Sequence, residues 1–112
     1  MSMYKSIIST VKDKILPNSN FKFVSPAGTA IQNARTSYIG DGVNRDGGHL
    51  SFDFGRYVSG LTLFCLTTGF EPREILYKPD GVSEKEEVVA KESVENALNQ
   101  NYSIVESKYK LG

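Results

Sequence analysis

The sequence predicts an α/β domain, mostly helical with one strand at residues 21–25, and three observations lead there. Apolar residues recur at helical spacing over Tyr4–Leu16, again after Ser51 and again after Ser83. Ring, charge and ring alternate through Phe21-Lys-Phe-Val-Ser25, with a β-branched residue beside them, which is strand patterning. Helix, short turn and strand in that order form the closing half of a βαβ unit, and a parallel strand needs neighbours that this chain hardly supplies.

The 112 residues allow one domain with a modest core. Thirteen basic residues balance thirteen acidic ones. That balance gives no electrostatic reason to expect nucleic acid or an acidic membrane as partner. The single cysteine, Cys65, has no intrachain partner and sits in an apolar run, where a buried structural thiol is expected. No signal peptide is visible, because Met1–Leu16 mixes polar and apolar residues without a continuous hydrophobic centre. The longest apolar stretch, Val58–Leu66, is too short to span a bilayer.

Along the chain, Tyr4, Ile7, Ile8, Val11 and Ile15 trace one face of an amphipathic helix that Pro17-Asn-Ser-Asn20 ends. Pro26-Ala-Gly28 closes the strand, and Thr29–Arg35 reads as a short helix with Thr29 as its cap. Gln32, Asn33 and Arg35 could line a polar substrate site there, or form a solvated helix face. Tyr38–Gly48 is a Gly- and Asp-rich loop. From Ser51, the positions Phe54, Tyr57, Val58, Leu61, Phe64, Cys65 and Thr68 recur at three and four, with Ser51 or Asp53 as cap and Gly69 at the left-handed end. Pro79-Asp-Gly81 marks a turn, and Ser83-Glu-Lys-Glu86 is a capping box opening a further helix. Glu84, Glu86 and Glu87 suit the positive end of that helix better than a metal site, since no histidine accompanies them. Tyr102–Leu111 fits a helical turn, a strand or a frayed tail.

The chemistry concentrates in Asn44–Tyr57. His49 is the only histidine, and Asp46 stands three positions before it, separated by two glycines. An imidazole accepts and returns a proton near neutral pH, and does so well when a second group fixes its tautomer. A bend without side chains would let the Asp46 carboxylate fold back toward the ring. The helix that starts two residues later would anchor the loop.

The order Arg-Asp-Gly-Gly-His-Leu-Ser followed by Gly-Arg-Tyr resembles the last sequence block of the SGNH (GDSL-type) esterases and acylhydrolases. The run Phe21–Arg35 resembles the strand and loop before that block in bacterial members, so the likeness covers roughly Tyr4–Gly69. The resemblance implies a flavodoxin-like three-layer fold, of which this chain would be the C-terminal part. It also implies catalytic roles for His49 as general base and Asp46 as its orienter in acyl transfer. It requires no metal or organic cofactor, and small acyl esters, among them acylated carbohydrates, are the substrates it suggests.

No Gly-Asp-Ser block occurs in the chain. Ser25 and Ser37 lie on loops and Ser51 is committed as a cap, so none resembles an exposed nucleophile. Two readings follow. In one, the chain is the general-base half of a serine esterase, inactive alone and completed by an N-terminal half or another chain. In the other, it is a non-catalytic helical interaction module with a structural Asp-Gly-Gly-His loop, and a homo-oligomer is possible.

Overall fold

Three helices, α2 (Ala27–Arg35), α3 (Phe54–Thr68) and α4 (Glu84–Asn99), pack pairwise around one core, with α1 (Ser2–Thr10) lying outside it. The computed structural model describes residues 2–18, 24–46, 49–51 and 53–111. Between α2 and α3 the chain makes a 3₁₀ turn, Gly40–Val43, and a hairpin of β1 (Asn44–Asp46) and β2 (His49–Leu50). A second 3₁₀ turn, Pro72–Glu74, lies between α3 and α4.

The α/β expectation does not hold. Among the described residues the only strands are the two short antiparallel ones of the hairpin, so there is no parallel sheet and no flavodoxin-like three-layer arrangement. Of the strand expected at 21–25, Phe21–Phe23 lie outside the described residues, and Val24 and Ser25 are in no strand. The physical reason is the missing neighbours: a parallel strand is stable only inside a sheet, and the apolar surface here is buried between helices instead.

Small residues let the helices approach. Ala30 and Ala34 of α2 and Ala90 and Ala97 of α4 are fully buried, while Val58, Leu61 and Cys65 of α3 fill the space beside them. Val43 and Val82, from the segments before the hairpin and before α4, complete the core. Each fully buried valine or leucine contributes about 1.5–3 kcal/mol.

Helix ends follow the sequence closely. The Ser83 hydroxyl accepts from the Glu86 N–H at 3.1 Å and the Ser83 N–H donates to the Glu86 carboxylate at 2.8 Å. Gly69 takes φ 80°, and its N–H donates to the Cys65 carbonyl. At α2 the expected cap is corrected. The helix begins at Ala27, and the Thr29 hydroxyl instead donates to the Asn101 carbonyl and meets the Tyr4 hydroxyl at 2.8 Å.

α1 continues as a π-helical turn, Val11–Ile15, in which the Leu16 N–H donates to the Val11 carbonyl. Its spacing is amphipathic as predicted, yet Met3 is 72% and Ile7 53% exposed. No helix among the described residues is long and apolar enough to cross a membrane.

The segment after α4 is irregular but fastened. Buried Asn33 donates to the Ser93 carbonyl at 3.1 Å and accepts from the Val105 N–H at 2.7 Å, tying α2, α4 and the tail together. Glu92 accepts from the Ser107 hydroxyl and the Lys108 N–H, and the Tyr38 N–H donates to the Tyr109 carbonyl. Asn33→Ala orphans a buried donor and acceptor, so we expect it to lower unfolding stability by about 2–4 kcal/mol in urea titration, with the tail becoming protease-sensitive.

Candidate functional site

An isolated two-stranded hairpin is marginal in water, so the one carrying His49 needs anchoring. Its strands pair antiparallel, with Asn44 opposite Leu50 and Asp46 opposite His49, and an irregularity between Asn44 and Asp46. On one side Val43 is fully buried. On the other, the Ser51 N–H donates to the Val43 carbonyl at 2.8 Å, closing the hairpin at its base. The Ser51 hydroxyl accepts from the Gly55 N–H at 2.7 Å, which makes it the helix cap, while Asp53 makes no capping bond through its side chain.

Gly55 lets the two pieces touch. A Cβ there would lie 2.5 Å from the Val43 carbonyl oxygen and 2.9 Å from the Leu50 Cβ. The predicted mechanical link between the Asp46–His49 loop and α3 is therefore present in the backbone. The side chains of Asp46 and His49, and the bend expected at Gly47 and Gly48, lie outside the described residues.

Of the three residues predicted to bind substrate, two share a shallow depression. Gln32 and Arg35 line it together with Asp41 and Glu106. The Arg35 guanidinium donates to Asp41 at 2.7 Å and to Gln32 at 3.3 Å. Asp41 is exposed, so that ion pair contributes little stability. Asn33 does not join them, because both ends of its buried amide serve the clamp on Ser93 and Val105. The serines considered as nucleophiles are also placed. The Ser37 hydroxyl donates to the Ala34 carbonyl and accepts from the Ile39 N–H, and the buried Ser25 hydroxyl has no partner among the described residues. No cluster of His, Cys, Asp and Glu suited to a metal ion occurs among the described residues.

A feature that the sequence reading does not identify lies along α3. A groove of about 540 Å³ runs between this helix and the segment 75–79, lined mainly by Arg56, Tyr57, Gly60, Phe64, Ile75 and Tyr77. Phe64 stacks on Phe70, with ring centroids 6.1 Å apart, at its exposed rim. The Lys91 ammonium donates to the Ile75 carbonyl at 2.8 Å and pairs with Glu87, holding the facing segment to α4. At the other end, the exposed Asp53 carboxylate lies against Gly81, where an added Cβ would push it aside.

Gly60 is the unexpected residue. Its φ is not positive and an added Cβ would meet nothing within 4 Å, so neither backbone nor packing asks for glycine. Inside a helix it costs about 1 kcal/mol relative to alanine. A glycine in the middle of a helical run is the sequence signal that points to this groove.

Burial also sets the titration of this wall. It pushes the Tyr57 phenol up to about 12, with the Glu87 carboxylate, Cys65 and Tyr77 adding to the effect, and the hydroxyl has no hydrogen-bond partner among the described residues. Burial, with Glu74, likewise raises the Cys65 thiol, so it is a buried and unreactive sulfur.

Two outcomes are expected of variants in this region. Gly55→Ala forces Cβ into the Val43 carbonyl and should destabilise by about 1–3 kcal/mol in thermal or urea unfolding, despite alanine's better helix propensity. For Tyr57 the folded-state value lies above the ordinary 10.0. The neutral phenol's contribution is therefore fully present below that pH and is lost as pH rises through about 12. Tyr57→Phe should remove this alkaline loss, worth up to about 2 kcal/mol, and should be neutral or stabilising at pH 7 because an unpaired buried hydroxyl disappears.

The comparisons agree with this fold. Residues 1–97 match the family model described as "Domain of unknown function (DUF4886)". The crystal structure of a DUF4886 family protein from Bacteroides uniformis superimposes with a TM-score of 0.88 at 40% sequence identity, over 95% of this chain and 40% of that chain. This chain thus spans about 40% of the length of that protein. No curated protein matches. With most of its length matched by the family model and two fifths of its residues identical to a solved member, the chain belongs to the DUF4886 family.

Proposed function

We propose that this chain is the general-base portion of a serine ester hydrolase, with His49 as base and Asp46 as the carboxylate that orients it. The observation that carries the reading is the cross-strand pairing of Asp46 with His49 in a hairpin fastened to α3. Residues directly opposite on antiparallel strands present their Cβ atoms about 4.5–5.5 Å apart on one face, within reach of an Asp–His hydrogen bond. The resemblance of Arg45–Ser51 and Gly55-Arg-Tyr57 to the last block of the SGNH esterases supports the same roles. The family member from Bacteroides uniformis is long enough to hold a nucleophile in the part this chain does not span.

In this reading a serine hydroxyl supplied from outside the 112 residues attacks the carbonyl of a small acyl ester. His49 takes the hydroxyl proton, and Asp46 stabilises the imidazolium without being protonated itself. The proton then passes to the leaving alkoxide as the tetrahedral adduct collapses. No step needs a metal.

One observation favours a second reading, that of a helical interaction module. Met3, Ile7 and Leu16 of the N-terminal helix and the turn after it are exposed apolar side chains, a surface suited to a protein contact. In that case the Asp-Gly-Gly-His loop is structural.

The pairing that the hydrolase reading needs is tested by an NMR titration of His49. The hydrolase reading expects a pKa above the usual value of about 6.5, falling by about one unit in Asp46→Asn as the favourable charge is removed. A histidine titrating at its ordinary value in both proteins would remove the basis for this reading. The isolated chain should hydrolyse no p-nitrophenyl ester. Hydrolysis that His49→Ala abolishes would place the nucleophile within these residues.

A further inference from the structure

We propose that the face around the groove, formed by α3 and residues 70–78, is the contact between two copies of this chain, a symmetric dimer in which Leu76 of each copy enters the groove of the other. The residues involved belong neither to the hairpin nor to α1, and the proposal does not rest on the hydrolase reading.

The exposed apolar side chains gather here. Phe64 and Phe70 stack at the rim of the groove and are about half exposed, Tyr77 from the facing segment is 70% exposed, and its neighbour Leu76 is 93% exposed. A single leucine in water needs no explanation, whereas four large apolar side chains around one groove form the kind of patch that marks a contact.

The size of the patch fits a second copy. Four side chains of about 200 Å² each, exposed to that extent, offer roughly 500 Å² of apolar surface. A standard interface buries about 800 Å² per partner, and in homodimers about 65% of it is apolar, which is roughly 520 Å². A small ligand in the groove would leave most of the rim in water.

Shape points the same way. Leu76 projects beside a groove of about 540 Å³ whose floor is bare at Gly60, where an added Cβ would have open space. A twofold axis brings each copy's projection to the other copy's recess, because such a patch meets itself. The missing side chain at position 60 then makes sense, since a leucine fills the space from outside.

The backbone of the facing segment supports the same pairing. Ile75 is extended, with φ −83° and ψ 117°, and Pro79 restricts Lys78 to extended conformations. Neither Leu76 nor Tyr77 has a backbone-to-backbone hydrogen bond among the described residues, so their N–H and C=O groups offer an edge to an antiparallel copy. Charge does not oppose the approach, because thirteen basic and thirteen acidic residues leave each copy neutral.

The test is sedimentation equilibrium of the 112-residue chain from about 1 μM to about 1 mM, where a reversible monomer–dimer equilibrium is expected. Leu76→Asp should raise the dissociation constant by about tenfold or more without changing the melting of the dilute monomer, since that side chain lies almost wholly in water. Gly60→Leu, which fills the recess from within, should weaken the dimer as well. Met3→Asp, which alters the exposed apolar face of α1, should leave it unchanged. A chain that stays monomeric at the highest concentration, growth beyond a dimer, a dimer that survives Leu76→Asp, or one that Met3→Asp dissolves would each overturn the proposal.

Discussion

At Gly55 the first turn of α3 lies so close to the carbonyl of Val43 that a hydrogen fits between them and a methyl group does not. The placement of the hairpin depends on that contact. It allows the Ser51 N–H to reach Val43 and the Ser51 hydroxyl to reach the helix, so a single residue closes the hairpin and caps α3. A two-stranded ribbon that would fray in water is thereby joined to a helix of the core. The backbone of Asp46 and His49 takes its position from α3, and α3 from the core.

The core is built by close approach rather than by bulk. Alanines on α2 and α4 and valines on α3, α4 and the preceding segments leave little room for rearrangement, and volume changes in such a core are felt directly. Polar clamps do the rest. Asn33 and Glu92 hold a tail that has no regular hydrogen bonding of its own, with partners 72 and 16 residues away. The apolar face of α1 stands outside this arrangement, exposed at Met3 and Ile7.

What the sequence makes legible is local. Helix ends at Gly69 and Ser83 follow from capping chemistry, which depends on residues three or four apart. The anchoring of the His49 loop is readable for the same reason, since Ser51 and Gly55 are near neighbours. The fold class is not legible, because alternation over Phe21–Ser25 says how a strand would look and nothing about whether partners exist to pair with it. Asn33 reads as a polar helix residue, and its burial depends on the later arrival of Ser93 and Val105. The groove escapes notice for a similar reason: its walls come from segments some twenty residues apart, and only Gly60 breaks a local rule. Local inconsistency of that kind tends to mark function.

Two parts of α3 thus serve two surfaces. Its first turn holds the hairpin at Gly55, and another face, from Arg56 to Phe64, borders the groove. A rigid helix can support both because its position is fixed by α2 and α4 independently of either.

The claim on which this account rests is that the hairpin belongs to the folded core rather than to a free loop. Amide hydrogen exchange at Ser51, whose N–H bonds to the Val43 carbonyl, tests it directly. The account predicts protection close to that of the amides in the middle of α3. Exchange at the rate of an exposed loop would contradict it.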